Sequence, residues 1–182
     1  MQGARESGDN SRIDIATKGG IEAVLAAMKE HPKDRKVQEE ACAALWNLSR
    51  HNDNNKIEIA AKGGIDASVA AMKEHLKFAE VQEEACGALW ILSALMDNRI
   101  MIVANGGIDA ILEAMKEHLN VVAVQKQACV ALWELRARNH NNGLDIATKD
   151  GIGVVLAAMK VHPKDRKKRS MRGAMEPFKK TH

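Results

Sequence analysis

The chain has 182 residues, 46% apolar and only 3% aromatic, with no tyrosine. Its formal net charge of +3 is uneven: Lys160 to His182 holds nine Lys/Arg against two acids, so this tail is +7 and the body about −4. No apolar run reaches the roughly 18 residues of a membrane span, and the polar start MQGARESGDNSR lacks the apolar centre of a signal peptide. The expectation is a soluble, intracellular, cytoplasmic protein, and three cysteines suit a reducing compartment. Asn47-Leu48-Ser49, formally a glycosylation acceptor, is then a chance match.

Residues 1–10 read as a disordered N-terminus. From residue 11 the chain repeats itself. Gly20, Gly64, Gly107 and Gly151 are spaced 44, 43 and 44 residues apart. His31, His75, His118 and His162 keep the same rhythm, as do Met28, Met72, Met115 and Met159. Units of about 11–52, 53–96 and 97–139 are followed by an incomplete one at 140–162, then a basic tail at 163–182. Within each unit a short first helix comes first, as in Asn54 to Lys62 or Asn98 to Asn105. A Gly-Gly pair breaks it, because glycine accepts the backbone angles of a sharp turn. A second helix follows, as in Gly20 to His31, where Lys29 and His31 suit the negative helix end and Pro32 stops the run. The third helix, about Lys36 to Ser49, is the longest. The fourth unit stops after its second helix.

The third helices carry a Cys–Trp pair: Cys42 and Trp46, Cys86 and Trp90, Cys129 and Trp133. At about 100° per residue, Val37, Ala41, Leu45 and Leu48 form one stripe, which should face the unit's own helices. Lys36, Glu40, Ala43, Asn47 and Arg50 lie broadly opposite. Cys42 and Trp46 occupy one flank; Ala44, with Ala88 and Ala131 after it, occupies the other. Stacked units would set large Trp against small Ala. One terminal Trp, either Trp46 or Trp133, should then lack a partner. Cysteines one repeat apart would lie about 10 Å from each other, too far for a disulfide or a shared zinc ion.

Residues Val37 to Ser49, VQEEACAALWNLS, with the short helix and glycine turn before each copy, resemble armadillo repeats. Glu40, Ala41, Leu45, Asn47 and Leu48 match that family's third-helix pattern. The resemblance covers roughly residues 11–162 and implies an all-α fold, a right-handed α-solenoid of three-helix repeats whose third helices line a concave groove. It also implies a non-enzymatic scaffold that binds a protein or peptide segment in that groove. The groove positions are Lys36, Glu40, Ala43, Asn47 and Arg50, then Glu80, Glu84, Gly87 and Ile91, then Gln127, Val130 and Glu134. In nuclear-import receptors of this kind a Trp precedes each peptide-clamping Asn by four residues. Here the Trp positions hold Ala43, Gly87 and Val130, and the Asn positions hold Asn47, Ile91 and Glu134. The chain departs from that ladder. Its small floor and acidic rim suit a partner with apolar anchors and basic residues.

No catalytic, cofactor or metal constellation is read. The glycine pairs lack a following Lys-Ser/Thr, and neither CxxC nor HExxH occurs. The basic tail, with Lys164, Arg166, Lys167, Lys168, Arg169 and Arg172, supports an alternative: a nuclear or nucleic-acid-associated factor. No aromatics interleave with it, which argues against base stacking. An uncovered last unit could be closed by the tail, through Met171, Met175 and Phe178, or could self-associate.

Overall fold

A computed structural model describes residues 12, 14–137 and 140–162, and every regular element among them is helical. The first unit holds α1 (residues 14–17), α2 (Gly20–Glu30) and α3 (Arg35–Ser49). The second holds α4 (Asp53–Ala61), α5 (Gly64–Glu74) and α6 (Ala79–Leu92). The third holds α7 (Met96–Ala104), α8 (Gly107–Glu117) and α9 (Val122–Arg136). Two helices follow, α10 (His140–Thr148) and α11 (Gly151–Val161). Third helices make the main stack, α3 on α6 and α6 on α9, and each second helix packs on the third helix of its own unit. One continuous apolar core runs through the array. The result is the all-α solenoid expected of repeats that cannot bury their apolar faces singly.

The glycine pair has two separate jobs. Gly63 sits at φ 86°, in the left-handed region, and a Cβ there would meet nothing within 4 Å. It reverses the chain between α4 and α5. Gly64 permits close approach: a Cβ there would lie 2.9 Å from the carbonyl oxygen of Ile59. Gly19 and Gly106 repeat the left-handed turn, and Asp150 takes it in the last unit at φ 60°.

Polar side chains close the helix ends. The last carbonyls of a helix have no partner within it. Gln38 Nε2 donates to the carbonyl oxygens of Met28 at 2.9 Å and His31 at 3.0 Å, tying the end of α2 to α3. Gln82 does the same to Met72 and His75, and Gln125 to Met115 and His118. Asn55 Nδ2 donates to Leu48 at 2.8 Å, across the junction from α3 to α4. Asn98 and Asn142 repeat that bond to Leu92 and Leu135.

The recurring histidines do more than end a helix. His75 Nε2 donates to the Pro32 carbonyl at 2.8 Å, one unit back. His118 reaches Leu76 at 2.7 Å and His162 reaches Leu119 at 2.8 Å. Since the His75 carbonyl accepts from Gln82, each staple is linked to the next helix of its unit. All three histidines are buried, whereas His31, with no described unit before it, is exposed.

Candidate partner-binding face

The site begins with what the third helices hide. Ala41, Leu45 and Leu48 are buried on the stripe facing α2, as read from the sequence. Cys42, Cys86 and Cys129 are fully enclosed. Burial pushes the Cys42 thiol up to about 12, with the Glu84 carboxylate adding to the effect and a bond with Ser68 opposing it. Burial likewise raises Cys129 to about 12, and Cys86 is raised by burial and by its neighbours Cys42 and Cys129. These are packing thiols, held protonated.

The tryptophans set the direction of the stack. Trp46 lies over α6: a Cβ on Gly87 would come within 3.1 Å of its ring. Ala88 and Ala131 are buried in the interior, while Ala44 lines an open cleft of about 620 Å³ with Ala23, Val24, Ala27 and Ala41 at the first unit's end. Trp46 and Trp90 are therefore covered by the next unit, and Trp133 is the one left 42% exposed. Trp46 Nε1 is buried with no hydrogen-bond partner among the described residues.

The opposite faces carry the charge. Lys36, Glu40, Asn47 and Arg50 are exposed, and Ala43 is half-buried. Asn47 Nδ2 is already occupied by its own helix, donating to the Ala43 carbonyl at 2.9 Å. In the next unit Glu80 is exposed, Glu84 and Ile91 are half-buried, and Gly87 lies beneath Trp46. In the third, Gln127 is buried and Val130 and Glu134 are half-buried. Lys36 pairs with Glu39 at 2.8 Å and Glu40 at 3.2 Å. Its own pKa is raised, first by the bond to Glu39 and then by the bond to Glu40. Glu80, Glu83 and Glu84 have no ion pair among the described residues. Partial burial raises the Glu84 carboxyl, and Glu83, Glu39 and Glu40 raise it further. Glu39, Glu40, Glu83 and Glu84 thus crowd two adjacent third helices, and Lys36 pairs with the first two.

Away from the third helices, ion pairs tie unit to unit: Lys62 to Glu22 at 2.7 Å, Lys77 to Glu117 at 2.8 Å and Lys149 to Asp109 at 2.9 Å. Among the described residues no cluster of three His, Cys, Asp or Glu is placed to hold a metal ion, and no helix is long and apolar enough to cross a membrane. The basic residues Lys164, Arg166, Lys167, Lys168, Arg169 and Arg172 lie outside the described residues, as do residues 1–11.

The sequence model of the LRRK2 ARM repeat family matches residues 3–172. Protein aardvark of Dictyostelium discoideum is 60% identical over 35 residues, which cover 19% of this chain and 5% of that protein's length. No solved structure gave a significant match. The three-helix repeat with its glycine turn, continued through a match over most of the length, identifies the chain as a member of the LRRK2 ARM repeat family, whose repeats generally bind proteins on a fold that is typically non-enzymatic.

Proposed function

We propose that the chain is a non-enzymatic scaffold that holds a segment of a partner protein along the outward faces of its third helices, which form the groove. The segment would carry basic residues beside apolar anchors. One observation carries this reading: Glu39, Glu40, Glu83 and Glu84 crowd together, Lys36 pairs with the first two alone among the described residues, and burial and then the neighbouring carboxylates raise Glu84. A Lys or Arg from a partner would relieve that repulsion, and the half-buried Ala43, Ile91 and Val130 offer apolar contact beside it. Three unpaired thiols suit a reducing compartment, so we place this activity in the cytoplasm.

The test is selection from a random peptide library displayed on phage. Wild-type protein should enrich peptides that combine Arg or Lys with Leu, Ile or Phe. Glu40→Lys, Glu80→Lys and Glu84→Lys together should weaken the winners at least about tenfold with helix content unchanged. Gly87 is left alone, because a side chain there would meet Trp46. Enrichment of acidic peptides, or equal binding by the triple variant, would contradict the reading.

A further inference from the structure

Between the second helices α2 and α5 runs a cleft of about 470 Å³, within the range of small-molecule sites, roughly 300–1,000 Å³. Its floor is buried: Met28 is 4% exposed, and Gln38 and Ala71 are 3% exposed. Leu25, Ala67 and Ala70 form its sides. The opening follows from the sequence. Where α5 has Ala67 and Ala70, α8 has Ala110 and Glu113, and α11 has Val154 and Ala157. The wall at this junction thus lacks the larger side chain that Glu113 or Val154 supplies. Both ends of the cleft are tied. Lys62 pairs with Glu22 at 2.7 Å near the starts of α5 and α2, and His75 Nε2 donates to the Pro32 carbonyl at 2.8 Å just past their ends. The walls are therefore set before anything binds, which lowers the cost of binding.

One polar group on the floor is incomplete. Gln38 Nε2 donates to the carbonyl oxygens of Met28 and His31, and its Oε1 accepts no hydrogen bond among the described residues. A buried amide oxygen left in this way costs free energy. Gln82 and Gln125 leave the same oxygen unbonded, but there it is sealed from solvent. Gln38 lines the cleft, so a ligand can reach it. The charged residues of the cleft, Lys29, Asp66 and Glu74, are all exposed at its rim. A charge brought down to the floor would lose its water for a single amide oxygen. A neutral donor on an apolar body matches the floor better.

We propose that this cleft binds a small apolar molecule with one neutral hydrogen-bond donor, an O–H or N–H of the phenol or indole kind. The donor meets Gln38 Oε1, and the ring lies on Met28 and Ala71. The site shares no residue with the glutamates of the third-helix face.

Amide NMR of the isotope-labelled full chain, backbone and side chain, titrated with para-cresol, tests this. Anisole is an isomer of para-cresol that has no donor. Para-cresol should shift Met28, Gln38, Ala67 and Ala71 together and saturate below about 10 mM. Anisole should bind at least about fivefold more weakly. Ala70→Glu, at an exposed position, copies the residue that α8 has at Glu113. It should abolish the saturable shifts at unchanged helix content. Equal binding by the two isomers, shifts that never saturate, or binding that survives Ala70→Glu would overturn the proposal. Shifts from a tyrosine-containing peptide with none from free para-cresol would make the cleft a docking surface for protein, and would also overturn it.

Discussion

At the residue scale, small polar bonds lock the repeats together. His118 is buried and donates to the preceding unit, while His31 is exposed. His118→Ala leaves the Leu76 carbonyl without that donor and should cost about 1–3 kcal/mol in urea unfolding. His31→Ala should change stability by less than about 0.5 kcal/mol. Equal costs would mean the inter-unit bond contributes nothing. The cysteines give a second check. With Cys42 and Cys129 pushed up to about 12 and Cys86 raised as well, the native protein should leave a thiol reagent such as Ellman's almost unreacted near neutral pH, and urea should release all three. The periodic histidines, glutamines and asparagines were visible in the sequence, but their bonds were not. Which carbonyl Gln82 meets depends on where α5 ends in space beside α6. The identical periods of Gln38, Gln82 and Gln125 were the signal that pointed to a shared role.

At the element scale, the glycine turns separate strain from collision. Gly63→Ala should cost about 1–2 kcal/mol from the left-handed backbone alone, since its Cβ would meet nothing. Gly64→Ala should cost more, because its Cβ would press on Ile59. If the two cost the same in thermal unfolding, the division of labour is wrong. The pair of third helices α3 and α6 gives a pH prediction. Glu84 is raised in the folded protein above the ordinary 4.5, so within that window the native state binds more protons than the unfolded state. Its contribution to stability therefore falls as pH rises through the window. Glu84→Gln should unfold at a higher temperature than wild type at neutral pH, with the gain fading as the medium becomes acidic. A gain that grows on acidification would contradict the crowding of carboxylates. The helix order itself was legible, because Gly-Gly punctuation and the apolar stripe act locally. Boundaries moved by a residue or two: the first helices begin at Asp53 and Met96, where Asn54 and Asn98 were expected, since end residues are fixed by caps and not by the stripe.

At the scale of the whole molecule, the described part of the array has two unlike ends. Small residues around Ala44 open one, and Trp133 and Leu156 open the other. Sequence reading left open which Trp would be bare, because a linear repeat looks the same stacked in either direction. The contact of Trp46 with Gly87 decides it. The same contact alters the groove as read from the sequence: Gly87 is roofed by an aromatic ring, so the most accessible charged positions nearby are Glu40 and Glu80, with Glu84 half-buried between helices. Lys36, Glu40 and Arg50 of the wheel's outward stripe are exposed, but the wheel could not show a neighbouring helix's side chain crossing onto that face.

The most direct measurement is a backbone amide NMR titration of the isotope-labelled full chain with a library-selected basic peptide. The account predicts shifts concentrated at Glu40, Ala43, Glu80, Glu84, Ile91 and Val130, as one stripe across α3, α6 and α9. Shifts confined to the first helices, at exposed Ile57 and Ile100, with the third helices unchanged, would contradict it.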